Sequence, residues 1–205
     1  MKKQVFYVHG GDSFNTKEDF QQYLRTVTVR DLPGNEGSTF WTKTLAEDLG
    51  EDYEVFRPVM PNKQNAHYEE WKVWFERHYE YLQDGIILVG WSLGAMFLAK
   101  YLSENKPPFK VAGVYLLAAP GGEYPLQTDG NDCQTFRFTK ESAQNITKNA
   151  SHVEVWHSED DHIVPIAEAY WYQKHLPEAK LRLFTDKNHF LLPEFPELVE
   201  AFLKE

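Results

Sequence analysis

The sequence predicts an α/β protein with a mostly parallel sheet of about six strands and helices on both faces. Short apolar runs alternate with helical patterns along the whole chain of 205 residues. Several runs, such as residues 86–89, are apolar at every position, as in strands that are buried on both faces. The length suits one unit, so we expect residues 1–205 to form a single domain.

The predicted strands are short apolar runs bounded by turn formers or helical patterns. They comprise residues 4–9, 53–57, 85–90, 110–118, 152–156 and 180–184. Because strands and helices alternate, we expect the carboxyl ends of these strands to lie at one edge of the sheet.

The predicted helices follow from residue spacing. The helix after Ser92 has a single apolar stripe that should face the sheet, formed by Ala95, Leu98, Ala99 and Leu102. Pro107 and Pro108 follow its end. Further helices are predicted near residues 42–49, over residues 139–150, and at the C-terminus. There Pro196 suits the first turn, and the buried face is formed by Phe195, Leu198, Val199 and Phe202.

Composition excludes several function classes. The formal net charge of −10, without any basic run, disfavours a nucleic-acid partner. No apolar stretch is long enough to span a membrane or to serve as a signal peptide. The single cysteine, Cys133, allows no internal disulfide and lies in a polar loop without an evident base, so we interpret it as a bystander. We therefore expect a cytoplasmic protein, and the oligomeric state stays open.

The strongest chemical signal is the motif Gly90-Trp91-Ser92-Leu93-Gly94. A buried-strand pattern leads into it and a helical pattern follows it, so Ser92 should lie on a tight turn between the two. The glycines leave room for neighbouring elements, and the turn exposes the hydroxyl at the helix N-terminus. This arrangement indicates a nucleophile, whereas a plain glycine-rich turn is the simpler alternative.

A serine hydroxyl needs a general base, and the base needs an orienting acid. Asp160 and Asp161 follow the fifth predicted strand, and His189 follows the sixth, so all three should lie at the edge that carries Ser92. We predict His189 as the base and Asp161 as the acid. Taken singly, His189 would fit an ordinary surface loop better than a catalytic site, and either aspartate would fit a solvated turn equally well.

An oxyanion hole needs backbone N–H donors that point at the developing charge. Leu93 follows the nucleophile, and Gly11 follows the first strand in the run His9-Gly10-Gly11, so these two residues are the predicted donors. Their neighbours in the sequence, Gly10 and Trp91, are expected to contact the substrate, together with Phe190.

The segments Val8-His9-Gly10, Gly90 to Gly94, Asp161-x-x-Val-Pro165 and His189 together resemble the α/β-hydrolase superfamily along the whole chain. The short length, Met60-Pro61-Asn62 and Glu70-Trp71 resemble small serine hydrolases related to retinoblastoma-binding protein nine and the bacterial YdeN-like proteins. The resemblance implies a sheet without the superfamily's N-terminal strand pair, little or no cap domain, and a triad of Ser92, Asp161 and His189.

We therefore expect a hydrolase that cleaves a carboxylic ester of a small-molecule acyl substrate through an acyl-enzyme. A thioesterase or peptidase with the same triad, and a non-catalytic binding protein that kept the fold, are the alternatives. Residues 157–162 include two histidines and three acids, but their spacing matches no structural zinc site. Neither a metal nor a cofactor is expected.

Residues 12–40 form a longer connection than simple alternation requires. Thr16 and Asp19 have capping-box spacing, which predicts a helix start, and residues 31–37 are dense in turn formers. A helical face is predicted for Phe20, Leu24 and Val27, and it could turn toward the pocket. We expect the segment to act as a partial lid, although a surface excursion away from Ser92 is equally consistent with the sequence.

Overall fold

The computed structural model describes residues 2–29 and 40–205. Within these residues there are six strands: β1 (Lys3–Val8), β2 (Tyr53–Phe56), β3 (Ile86–Trp91), β4 (Val111–Leu117), β5 (His152–Ser158) and β6 (Lys180–Phe184). The helices are α1 (Lys17–Thr26), α2 (Trp41–Leu49), α3 (Tyr68–Arg77), α4 (Leu93–Glu104), α5 (Lys140–Ala143), α6 (Asn145–Lys148), α7 (Ala167–His175) and α8 (Pro196–Leu203). Each strand overlaps one that the sequence predicts.

The six strands form one parallel sheet in the order β2-β1-β3-β4-β5-β6. The chain leaves β1 for β2 on one side and later returns to β3 on the other, so the strand order reverses between β1 and β3. Ligands of open α/β sheets bind beside the carboxyl ends of the strands at such a reversal. Gly10 follows β1 and Ser92 follows β3, so both lie at this point.

The sheet is buried on both faces because successive side chains of a strand point to opposite sides. In β3, Ile86 and Leu88 belong to the larger apolar cluster, which includes α3 and α4. Ile87 and Val89 belong to the second cluster, which includes α2 and α8. The apolar runs of the sequence therefore correctly predict a two-sided core.

Helix α4 is buried on almost every side, which differs from the single predicted stripe. Ten of its residues are buried, including Phe97 and Tyr101, which lie outside that stripe. The reason is tertiary: α3, α5 and α6 pack around the side of α4 that faces away from the sheet. The helix ends at Glu104 with Asn105 as its C-cap, ahead of the two prolines, as predicted.

The single helix predicted over residues 139–150 is wrong, because the chain forms the two short helices α5 and α6 with a break at Gln144. Asn145 and Asn149 donate side-chain hydrogen bonds to backbone carbonyl groups near the C-terminus of α4. These bonds reach another helix and not the segment's own turns. Here they hold the segment against α4 instead.

Helix α1 begins as predicted, with the Thr16 hydroxyl accepting a hydrogen bond from the Asp19 N–H. None of its residues is buried. Phe20 is half-buried and its ring packs against Phe14, whereas Leu24 is exposed. The turn-rich stretch 31–37 lies outside the described residues. Across the described part of the chain, no helix has the length and apolar character required to cross a membrane.

Candidate active site

Ser92 occupies a tight turn between β3 and α4, and its backbone is in a left-handed conformation with φ of 56° and ψ of −123°. Such a conformation is strained for a residue with a side chain. The glycines of the motif, Gly90 and Gly94, let the backbone of neighbouring elements pack closely around this turn. A Cβ atom at Gly90 would lie 2.5 Å from the Ala95 Cα, and one at Gly94 would overlap the Val8 carbonyl oxygen. Strand β1 and helix α4 therefore hold the turn on which Ser92 lies.

His189 and Asp161 are brought together by the loops that follow β6 and β5. The His189 Nδ1 lies 2.8 Å from the Asp161 Oδ2, and both side chains are buried. The other carboxylate oxygen of Asp161 accepts the backbone N–H groups of Ile163 at 2.8 Å and Val164 at 2.9 Å. The carboxylate is thereby fixed on both sides, and it fixes the imidazole ring in turn.

The electrostatics of this pair favour an ionised acid. Burial acts to raise the pKa of the Asp161 carboxyl, but the hydrogen bond and the charge of His189, together with the Val164 and Ile163 N–H groups, outweigh it. The net pKa of Asp161 lies below its ordinary value. A negative carboxylate beside Nδ1 is the arrangement that keeps a proton on that nitrogen.

Asp160, the neighbouring carboxylate, has a different place. Its side chain is exposed and accepts hydrogen bonds from the Ser158 hydroxyl at 2.5 Å and the Asn188 N–H at 2.8 Å. The Ser158 hydroxyl also accepts the Lys187 N–H at 2.9 Å. Asp160 therefore ties the loop after β5 to the loop after β6, without a hydrogen bond to the His189 ring.

The two residues predicted as oxyanion donors, Gly11 and Leu93, line the same pocket as Ser92. Leu93 is the first residue of α4, so its N–H has no acceptor within the helix. For residues 2–29 and 40–205, no hydrogen bond uses the N–H of Gly11. Gly10 lies so close to the turn that a Cβ there would be 3.2 Å from the Ser92 Cβ. A Cβ at Gly11 would lie 2.5 Å from the Lys63 carbonyl oxygen.

His9 holds the loop that carries these glycines. Its Nε2 accepts the Met60 N–H at 2.8 Å, so the ring proton is on Nδ1, which donates to the Gly10 carbonyl oxygen at 2.6 Å. Burial lowers the pKa of His9, although the hydrogen bond to Gly10 acts in the opposite direction. The neutral His9 ring therefore holds the loop in position through these two hydrogen bonds.

A pocket of about 280 Å³ opens at this edge of the sheet and contains the predicted residues Gly10, Gly11, Trp91, Ser92, Leu93 and His189. The Trp91 Nε1 donates to the His189 carbonyl oxygen at 2.8 Å, which joins the two loops. Phe190 does not lie where the sequence predicts a substrate contact. Its side chain is fully buried and packs against Phe184 and Phe195 in the core. Its contact with Phe195, at the start of α8, lies away from the pocket.

Much of the pocket wall was not predicted from the sequence. Further lining residues are Asp12, Pro120, Tyr124, Asn131, Cys133, Ile163, Val164 and Leu191. Residues 120–133 follow β4, so the rule that parallel strands share a carboxyl edge would have pointed to this segment. The predicted lid face, formed by Phe20, Leu24 and Val27, is not part of this lining, within the stretches of chain that the structure describes.

Cys133 lies in the pocket wall rather than in a remote loop. It is buried, and its backbone is left-handed with φ of 58°. Burial, followed by the nearby Asp132 carboxylate, raises the pKa of the thiol to about 12. A neutral thiol is a poor nucleophile, so the position of Cys133 adds shape to the pocket and no second nucleophile.

His157 is a second histidine beside Asp161, and it is one of the two histidines in residues 157–162 whose spacing matches no structural zinc site. Its ring is fully buried, and Nε2 donates to the Val164 carbonyl oxygen at 2.8 Å while lying 3.6 Å from the Asp161 Oδ2. Burial lowers its pKa, against the hydrogen bond to Val164. His157 therefore closes the loop between β5 and α7 as a neutral donor.

The fold is that of the α/β-hydrolases, which the comparison with solved structures shows directly. The ydeN gene product of B. subtilis is 20% identical, with a TM-score of 0.73 over 99% of this chain and 98% of the other. A YdeN-like hydrolase from Pectobacterium atrosepticum is 13% identical, with a TM-score of 0.61 over 99% and 90%. A monoacylglycerol lipase from Paleococcus ferrophilus is 15% identical, with a TM-score of 0.56 over 98% and 92%.

The family model described as serine hydrolase matches residues 32–193, which is most of the chain. The protein therefore belongs to the serine hydrolase family. The resemblance that the sequence indicated, to α/β-hydrolases of the YdeN-like kind without a large cap, is confirmed.

Proposed function

We propose that this protein is a carboxylic-ester hydrolase in which Ser92, His189 and Asp161 act as a catalytic triad. One observation carries the proposal. His189, whose Nδ1 lies 2.8 Å from the buried Asp161 carboxylate, lines the same pocket as Ser92, which is held on a strained strand–helix turn. A hydroxyl and a base in one pocket, with an orienting acid hydrogen-bonded to the base, form the set that activates a serine.

The roles follow from which atoms are already engaged. Because the Nδ1 of His189 is paired with Asp161, Nε2 is the nitrogen free to accept the Ser92 proton as the hydroxyl oxygen attacks the ester carbonyl. The N–H groups of Gly11 and Leu93 would hold the oxyanion. His189 then protonates the leaving alcohol, and an acyl-enzyme forms on Ser92.

Release of the acyl group repeats the same steps with water. His189 takes a proton from the water, which attacks the acyl carbonyl, and Ser92 leaves with the proton from the histidine. The whole cycle needs only this chain's own groups and the solvent. The same machinery would serve a thioester or amide, so the choice among acyl bonds is decided by assay.

The buried, unpaired cysteine supports action in a reducing compartment, which we propose is the cytoplasm. The substrate would be a small acyl compound that fits the pocket of about 280 Å³.

The direct test is the kinetics of Ser92→Ala on short-chain p-nitrophenyl esters, thioesters and anilides. Loss of the nucleophile of an acting triad lowers kcat by about 10⁴-fold to 10⁶-fold, and we expect a loss of that size on esters. Ser151→Ala, at an exposed serine near the start of β5, is the matched control and should keep wild-type rates. A Ser92→Ala protein that is folded and retains a tenth of the wild-type esterase activity would refute the proposal.

A further inference from the structure

One carboxyl group of the pocket has no role in the proposed chemistry. Asp12 directly follows Gly11 and lines the same pocket as Ser92, and its carboxylate accepts a hydrogen bond from Asn131, another lining residue. Acyl transfer by the three triad residues requires no further acid there. A carboxylate in the wall of a small, otherwise largely uncharged pocket is costly unless something that enters the pocket interacts with it.

The carboxyl of Asp12 is held in a fixed position. Its Oδ1 accepts the Asn131 Nδ2 at 2.8 Å, and the Tyr23 hydroxyl of α1 also bonds to it. The backbone is fixed as well, because the Asp12 N–H donates to the Lys63 carbonyl at 2.9 Å and the Asp12 carbonyl accepts the Ala66 N–H at 2.8 Å. This carboxyl is therefore a preorganised acceptor rather than a loose surface acid.

No cation balances this acid in the parts of the chain that the structure describes. Asp12 forms no ion pair there. Burial raises the pKa of the Asp12 carboxyl, and the negative charge of Asp129 adds to this against the hydrogen bond from Asn131. A poorly solvated carboxylate gains strongly when a positive group approaches it.

The surroundings of the pocket are acidic too. The charges that raise the pKa of the Cys133 thiol, after burial, are those of Asp132, Asp12 and Glu168, and Arg137 alone acts in the opposite direction. Arg137 is already engaged, because it donates to the Tyr124 carbonyl oxygen and lies 3.8 Å from Asp132. Among the described lining residues, His189 is the one side chain that can become positive.

We propose that the preferred substrates are esters that carry a protonated amine, which the Asp12 carboxylate receives beside the catalytic serine. This inference rests on the proposed esterase function and specifies its substrate class. Asn131 would act as a positioning residue, since its amide donates to Asp12 while its Oδ1 accepts the Ser13 N–H at 3.0 Å.

The test compares cationic esters with neutral esters of the same shape. Methyl alaninate is paired with methyl 2-methylpropanoate, methyl 3-aminopropanoate with methyl butanoate, and 2-(dimethylamino)ethyl butanoate with 3-methylbutyl butanoate. Released acid is measured by chromatography after subtraction of the uncatalysed rate. In the wild type we expect kcat/KM to favour the cationic member of at least one pair by about 10-fold to 100-fold, as for one charge-assisted hydrogen bond.

The variant Asp12→Asn should reduce that preference to about threefold or less, because its amide keeps the shape without the charge. Asp52→Asn removes one exposed carboxylate before β2 and should leave the preference unchanged. Equal rates within every wild-type pair would overturn the inference even if the variant fails to fold, and so would an Asp12→Asn protein with wild-type preference. Failure to cleave the neutral and cationic esters alike would instead contradict the esterase proposal itself.

Discussion

Replacement of Asp161 by Asn distinguishes the roles of the two adjacent acids, Asp160 and Asp161, in the loop after β5. Asp161 meets the His189 ring at 2.8 Å, whereas Asp160 bonds to the Ser158 hydroxyl and the Asn188 N–H. In Asp161→Asn, the amide oxygen can still accept the N–H groups of Ile163 and Val164. Its NH₂ group then faces His189 and donates to Nδ1.

That exchange of donor and acceptor forces the ring proton onto Nε2, the nitrogen that must accept the Ser92 proton. The equivalent change in a serine protease triad lowers kcat by about 10⁴-fold while preserving the geometry, and we expect a loss of that order. In Asp160→Asn, the side-chain oxygen still accepts both of its hydrogen bonds. We therefore expect kcat/KM to stay within about threefold of wild type, the typical range for a change at an exposed polar site.

The assay is kcat/KM on a p-nitrophenyl ester, with circular dichroism and thermal melting to confirm that both variants fold. A larger loss in Asp160→Asn than in Asp161→Asn would reverse the assignment of the acid. Equal, small losses in both variants would show that neither carboxylate orients the base.

Three further outcomes are expected. His157→Leu leaves the Val164 carbonyl oxygen without its hydrogen-bond donor, so the free energy of unfolding should fall by about 1–3 kcal/mol in urea titrations. In the same variant, kcat should fall by a larger factor than KM changes. Unchanged stability would contradict the role of His157 in closing the loop. The folded-state pKa of Asp161 is depressed, so its contribution to stability is complete above its unfolded pKa of about 3.9 and is lost as the pH falls through the lower folded value. The stability gap between wild type and Asp161→Asn, measured by urea titration, should therefore narrow below about pH 4, and a gap that does not narrow there would contradict the depressed pKa. Replacement of residues 31–37 by a short Gly-Ser linker should raise activity on bulky esters and change KM more than kcat, and an unaltered chain-length preference would count against a lid.

The sequence could predict the sheet because buried parallel strands have a local signature. The apolar run in β3 is followed at once by the motif around Ser92, and that pairing of patterns correctly indicated where the strand ends. The loops that carry Asp161 and His189 could be placed for a related reason, since the carboxyl ends of parallel strands share one edge.

Features that depend on tertiary packing could not be predicted from the sequence. The outer side of α4 is buried because α3, α5 and α6 cover it, and neither their number nor their position follows from residue spacing. Phe190 and His189 are adjacent in the sequence, yet the positive φ of 54° at Phe190 turns its side chain into the core. The wall formed by Asn131 and Cys133 comes from an irregular loop, for which the sequence offers no periodicity.

Covalent labelling of the serine tests the central claim most directly. The intact protein is treated with a fluorophosphonate, digested, and analysed by mass spectrometry, because such a probe forms a stable bond with a serine only where a base has activated it. We predict a single adduct on the peptide that contains Ser92, with labelling that is lost in Ser92→Ala and strongly slowed in Asp161→Asn. A folded protein that takes up no label, or that takes it up at another residue, would contradict the account.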